Sequence, residues 1–400
     1  MIVRLVDTQK KYDLNSLFAR LDVTTAGTKL MAPKASLRVV VIKGISSYAA
    51  LILKQEMLSL GGDVAVPEKT LTGNCEGLSC VLIASDRHLE ALYRKLKLQS
   101  RTIRKLSDLI STAVADFDKE KYLLRACGRK IHIKRPLIMG IINATPDSFS
   151  GDGLFAGVNG SRKTMQERVA EMFRSGVDIF DVGGESTRPY SEKISVSEEI
   201  RRVIPVIEYL VDKYPRIPVS VDTSRYKVAE AALDAGAVIV NDISGLASAG
   251  MLKLIARTGA GVCIMHMQGT PRTMQTAPYY DDVIEEIYDF LSIRVQKALD
   301  AGICRSQIML DVGLGFGKRL EDNLELIKNH GTFKSLGFPI LFGASRKSFI
   351  GTVLHRKDPE DRVLGTALVN LAALSNGASV LRVHDVSEGR QTVDMFCALR

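Results

Sequence analysis

Between residues 136 and 385, eight short apolar runs each end in a polar side chain and a loop. They read PLIMGIIN, DIFDVGGE, VSVDT, VIVND, VCIMHM, IMLDVG, ILFGASRK and VLRVHD. Runs of this length, rich in β-branched residues, are strands buried on both faces of a parallel sheet. Amphipathic helical stretches such as SEEIRRVIPVIEYLVDKY lie between most of them. Eight strand-plus-helix units in succession predict an α/β fold, a (β/α)8 barrel with its active site at the C-terminal strand ends. Those ends carry Asn143, Glu185, Asp222, Asn241, His266, Asp311, Lys347 and His384.

The first 119 residues fall outside this repeat and predict a small N-terminal α/β domain before the barrel at 120–400. Residues 37–44, 63–67 and 79–85 read as strands, and 48–60, 86–98 and 103–117 as helices. One βαβ unit is the expected frame. The domain carries no phosphate loop and no catalytic cluster, so packing, oligomerisation or partner binding is the role its residues support. Residues 121–135 predict a hairpin around a Cys-Gly turn, placed to plug the N-terminal mouth of the barrel.

Net charge is +9. Residues 1–119 hold 18 Lys and Arg against 12 Asp and Glu, or +6, which leaves +3 for the rest. No dense basic run or aromatic-interleaved stripe points to nucleic acid, so anionic small molecules are the better partners. The sequence has no signal-peptide pattern and no membrane-length apolar run. Six scattered cysteines form no zinc pair, and Cys263 inside a strand reads as a small buried apolar residue. A reducing cytoplasm is the expectation.

The strand ends define the chemistry. Asn143, before a Gly- and Pro-rich loop, suits a Mg2+ ion that keeps waters and binds phosphate oxygens. The second loop offers the Thr187 hydroxyl and the Arg188 guanidinium to an anion. Asp222, Asn241 and Asp311 point toward the barrel mouth, where buried carboxylates need hydrogen-bond donors. A planar heterocycle rich in N–H groups, such as a pterin, provides them. Asp222 is also placed to cap the helix that follows it. Lys347 adds a cation after strand seven. Arg382 and His384, two apart on strand eight, share a face and suggest an anion pocket near the usual phosphate site of the fold. GLGFGK at 313–318 lacks dinucleotide spacing and reads as a tight loop. His266 reads as a supporting residue.

In order, NATPDSFSGDG, GGESTRP, SVDTSR, NDISG, MHMQGTP, DVGLGFGK, GASRKSFIG and RVHD resemble the motif set of the dihydropteroate synthase family, from about residue 123 onward. The resemblance implies a pterin-binding TIM barrel that condenses 7,8-dihydropterin hydroxymethyl diphosphate with p-aminobenzoate. It implies that Asp222, Asn241, Asp311 and Lys347 hold the pterin, with Asp222, Asp311 and Lys347 catalytic. Asn143, Arg382 and His384 would hold the diphosphate and Mg2+. Thr187 and Arg188 would help form the p-aminobenzoate pocket, with Pro189, Phe316 and Ser348 as neighbours. A homodimer is also implied. Three departures stand out: Val312 where the family has Pro, Tyr190-Ser191 where it continues Gly-Ala, and Arg225 in a region where Lys is usual. Two other readings are a methyltetrahydrofolate–corrinoid protein methyltransferase and a non-catalytic barrel subunit. The first has no need of Lys347 or the Arg382–His384 pair, and the second would be expected to lose the charged residues.

Overall fold

In the computed structural model, which describes residues 14–71, 73, 75–144, 164–185, 194–270 and 273–400, the chain divides into two units, Met1–Ala115 and Asp116–Arg400. The division falls four residues before the expected one, inside the helix Arg101–Asp118.

The first unit starts with two short helices, Leu14–Arg20 and Thr25–Met31, that the sequence reading did not anticipate. A sheet of β1 (Arg38–Ile45), β2 (Asp63–Ala65) and β3 (Leu78–Ala84) follows. Its order is β1-β3-β2, with β3 antiparallel to both neighbours. The expected βαβ unit is therefore split, because β3 lies between the two parallel strands. Alternation explains its central place: Leu78, Cys80, Leu82 and Ala84 are all buried on one face. Helices Ser47–Leu58 and Asp86–Leu96 cover that face, each capped by a serine, Ser46 and Ser85. A groove of about 420 Å³ runs between β1 and the helix Arg101–Asp118. Its charged lining residues Lys43, Glu76 and Lys105 are exposed.

The second unit opens with the predicted hairpin, β4 (Tyr122–Ala126) and β5 (Arg129–Ile133). Its two turn residues, Cys127 and Gly128, both have positive φ, 48° and 79°. That is the turn whose twist matches a two-residue hairpin. Eight parallel strands then close a barrel: β6 (Leu137–Asn143), β7 (Ile179–Gly183), β8 (Val219–Asp222), β9 (Ile239–Asp242), β10 (Gly261–Met265), β11 (Ile308–Asp311), β12 (Ile340–Phe342) and β13 (Val380–Val383). Tyr122, Leu124 and Ile133 of the hairpin pack with Met139, Ile179, Ile239, Cys263, Met309, Leu341 and Val380. This end of the barrel interior is apolar and covered, and Cys263 is part of it. Two residues further along, four of these strands turn polar: Ile179 gives way to Asp181, Ile239 to Asn241, Met309 to Asp311 and Val380 to Arg382.

Candidate active site

Strand register sets the polar layer. Asp222 lies opposite Gly183 on one side and Asn241 on the other, and Asp311 opposite Met265. One inward step below Gly183 sits Asp181, fully buried. The sequence reading missed Asp181, because it followed the second run past it to Glu185.

Arg382 organises this layer. Its Nε donates to Asp181 Oδ2 at 2.7 Å, and its Nη2 to Asp222 Oδ2 at 2.6 Å. Asn241 Nδ2 donates to the same Asp181 oxygen at 3.3 Å. Burial opposes the Arg382 charge, yet the two carboxylates outweigh it and hold the guanidinium protonated. Burial pushes the Asp222 carboxyl up from its ordinary range, against the pull of Arg382. Three acceptors in the layer keep no partner among the described residues: Asp181 Oδ1, Asp222 Oδ1 and Asn241 Oδ1. Buried acceptors of this kind cost about 1–3 kcal/mol each unless something donates to them.

Asp311 faces the layer from the opposite wall. Its Oδ1 accepts from Gly313 N at 2.7 Å, and burial raises its pKa while Lys347 lowers it. Lys347 follows β12 by five residues, since that strand ends at Phe342 rather than at the lysine itself. Its Nζ donates to the Leu314 carbonyl and stands 4.5 Å from the Phe316 ring centroid. Burial brings the Lys347 pKa down to about 8, with Asp311 opposing. Phe316 is thus a platform for Lys347.

Lys318 supports the loop that makes this platform. Buried, it donates to the carbonyls of Gly313 at 2.8 Å and Phe316 at 3.0 Å. It also lies 3.0 Å from His266 Nδ1. Burial and Lys318 together depress His266 to about 2, so the ring is neutral and accepts. His266 is a supporting group, as its sequence context indicated. At Gly313, φ is 67° and a Cβ would collide with the His266 carbonyl oxygen, so the loop tolerates only glycine there.

Arg346 and Asp385 join the loops after β12 and β13. Arg346 holds a left-handed backbone, φ 58°, and grips Asp385 through two bonds of 3.0 and 2.5 Å. Such strain persists where the surroundings enforce it, and here the Asp385 pair and the bond from Arg346 N to Thr366 Oγ1 at 3.0 Å do so. Ser345 Oγ accepts from His384 N at 3.1 Å and lies 2.9 Å from His384 Nδ1.

Asp222, Asn241, Asp311 and Lys347 converge where their strand ends placed them. Arg382 and His384 share the inward face, but the Arg382 guanidinium is committed to Asp181 and Asp222 rather than paired with His384 in an open anion pocket. Two carboxylates buried in one layer require a cation, and Arg382 bonds both of them. Asp222 caps no helix. Glu185 points away from the layer to Arg225, at 3.0 Å. Asn143 ends β6 with its residue exposed. Thr187, Arg188 and Pro189, together with the loop after Asn143, lie outside the described residues.

The model of the pterin binding enzyme family matches residues 139–384. The dihydropteroate synthase of Synechocystis sp. is 43% identical over 267 residues, covering 66% of this chain and 91% of that protein. The probable bifunctional folylpolyglutamate synthase/dihydropteroate synthase of Haloferax volcanii is 36% identical, covering 97% of this chain and 46% of its own length. A match of that extent takes in the first unit as well as the barrel. Among solved structures, Xanthomonas albilineans dihydropteroate synthase with 4-aminobenzoic acid superposes with a TM-score of 0.63 at 40% identity. It covers 70% of this chain and 98% of that one.

Proposed function

This chain belongs to the pterin binding enzyme family and is a dihydropteroate synthase, and we propose how its barrel mouth divides the work between two substrates. The observation that carries the reading is the set of unpartnered acceptors in the polar layer, on Asp222, Asn241 and Asp181. A pterin edge presents N–H donors to such a set, and Lys347 donates to its acceptors. Asp222 and Asp311 hold negative charge beside the pterin methylene. As the C–O bond to diphosphate breaks, its electron pair leaves with the diphosphate oxygen. The methylene becomes cationic, and fixed carboxylates favour that charge. The p-aminobenzoate nitrogen then forms the C–N bond and releases its proton to solvent. The amine is already nucleophilic, so no covalent enzyme intermediate is needed.

In this reading His384 serves the side of the departing diphosphate and Arg382 lends its charge from the polar layer, where Asp181 and Asp222 hold it, with Thr187 and Arg188 assigned to the p-aminobenzoate side. Asn143 fits a Mg2+ ion, because one amide oxygen at an exposed strand end suits a cation that takes its other oxygens from water and diphosphate. Among the described residues no cluster of three His, Cys, Asp or Glu could hold a metal, so the ion would depend on the substrate's oxygens. When bound, Mg2+ would neutralise charge on the leaving group.

The enzyme acts as a homodimer in this reading. Leu364 and Leu368 stand exposed at 71% and 58% on the helix Val363–Ser375, with Met395 exposed on Val386–Leu399. Light scattering on the eluting protein checks the dimer. Among the described residues no helix is long and apolar enough to cross a membrane. A cytoplasmic location is part of this reading, and the six scattered cysteines support it. Purified protein with Mg2+ should release diphosphate only when both substrates are present. Absence of that dependence would sink the reading.

A further inference from the structure

A polar pair interrupts the apolar seam between β8 and the helix Val196–Lys213. Asp222 faces the barrel interior, so the two-residue period turns Val219 and Val221 outward. Both join the buried cluster that contains Val203, Val206 and Ile207 of that helix. Thr223 continues the outward row, directly after Asp222, and is 4% exposed. Its Oγ1 donates to Glu199 Oε1 at 2.7 Å. Glu199, on the helix, is only 1% exposed. Space beside it is tight, since a Cβ on Gly184 would lie 2.7 Å from Val203 Cγ1 and 3.1 Å from Glu199 Cγ. Thr223 is bonded on two further sides. Its N donates to the Asn241 carbonyl at 3.1 Å, and its Oγ1 accepts from Arg225 N at 3.2 Å. A bonded path thus runs from the helix, through Glu199 and Thr223, to the paired strand ends that carry Asp222 and Asn241.

A hydroxyl and a carboxylate are an unfavourable choice for such a seam. Burial pushes the Glu199 carboxyl up, and the Thr223 hydroxyl and then Arg225 oppose this. Arg225 Nη1 lies 3.0 Å from Glu199 Oε2. Apolar residues of similar shape in place of a buried polar pair often leave stability unchanged or raise it. What they lack is direction. A hydrogen bond fixes both distance and angle, whereas aliphatic contact lets a strand end settle over a range of positions. Stability of the seam and placement of the strand ends are therefore separable by substitution.

We propose that Thr223 and Glu199 are positioning residues for the pterin: their bond pins the ends of β8 and β9 to the helix Val196–Lys213, so that Asp222 and Asn241 keep the spacing one heterocycle edge requires. The inference rests on the reading that Asp222 and Asn241 meet the pterin, with Thr223 and Glu199 acting through them.

Steady-state kinetics of the full chain test it, with thermal melts alongside. Thr223→Val removes the hydroxyl and keeps the shape. It is expected to raise the KM for the pterin diphosphate at least fivefold and leave the KM for p-aminobenzoate within twofold. Thr223→Ser keeps the hydroxyl and should hold the pterin KM within twofold of the unaltered enzyme. If Thr223→Val fails to fold, the double variant Thr223→Val/Glu199→Leu carries the test, because it removes the acceptor along with its donor. The double variant should melt close to the unaltered enzyme and still raise the pterin KM. An unchanged pterin KM in the folded double variant, or equal changes in both KM values, would overturn the inference. Asn241→Ala separates the two levels. If it raises the pterin KM while the Thr223 and Glu199 variants do not, the positioning role falls and the assignment of Asn241 stands. If Asn241→Ala has no effect on that KM, the underlying assignment falls.

Discussion

The two units use the same materials, strands covered by helices, and differ in what they bury. Among the described residues of the first unit, the buried polar side chains are hydroxyls: Ser47, Thr70, Ser85 and Ser107. The barrel buries Asp181, Glu199, Asp242, Asp311, Lys318 and Asp322. The first unit has its own groove beside β1, but the charged residues on its wall are exposed rather than buried. A buried charge costs several kcal/mol unless paired, so a fold retains such groups where chemistry uses them or where pairing them holds a loop in place. Concavity alone is therefore a poor guide in this molecule. Buried charge with unfilled acceptors is the better one.

The sharpest way to break this contrast is to remove charge from the layer. Lys347→Ala and Asp222→Ala should each lower kcat/KM by about a hundredfold or more. Circular dichroism should still report a folded chain. Near-wild-type turnover in either would dissociate the polar layer from catalysis. The next effect is on stability. Asp181→Ala leaves Arg382 Nε and Asn241 Nδ2 without their acceptor, and urea melts should report a loss of roughly 2–3 kcal/mol. Ser107→Ala in the first unit should cost only about 1 kcal/mol. Equal losses would erase the distinction.

A pH profile probes the same layer more gently. Lys347 is depressed to about 8, so its cation is present below that pH and lost as pH rises through it. kcat/KM should accordingly fall above about pH 8, and Lys347→Arg should move that limb to higher pH. A profile unchanged by the arginine would assign the limb to another group. Lys318, brought down to about 7 by burial, also titrates nearby. Its bonds to the Gly313 and Phe316 carbonyls survive in the neutral amine, so its own effect should be small. The smallest change is expected from removing the first unit. A chain of residues 116–400 should keep kcat within about twofold, as the relatives that match the barrel alone indicate. A large loss would give the first unit a part in catalysis.

Much of the site was legible because a parallel strand puts its last inward residue at the barrel mouth. Asp222, Asn241 and Asp311 follow from that rule and the two-residue period. Asp181 obeys the same rule one step deeper, inside DIFDVGG, where the polar tail of the run drew attention to Glu185 instead. The partners of Arg382 were not legible, since they lie 201 and 160 residues away in sequence. Nor was the split βαβ unit, because local pattern gives each strand its faces but not its neighbours.

By itself the sequence determined the eight strands, the plugging hairpin and the side chains available at each strand end. These depend on local alternation, turn chemistry and period, which a single chain carries openly. Only the tertiary structure decided which charges meet. It set Arg382 between Asp181 and Asp222, seated Lys347 on Phe316, and closed Arg225 around Glu185, Ile194 and Glu199. Pairing is a property of distance in space, and closure of the barrel brings residues far apart in the chain within one hydrogen bond of each other.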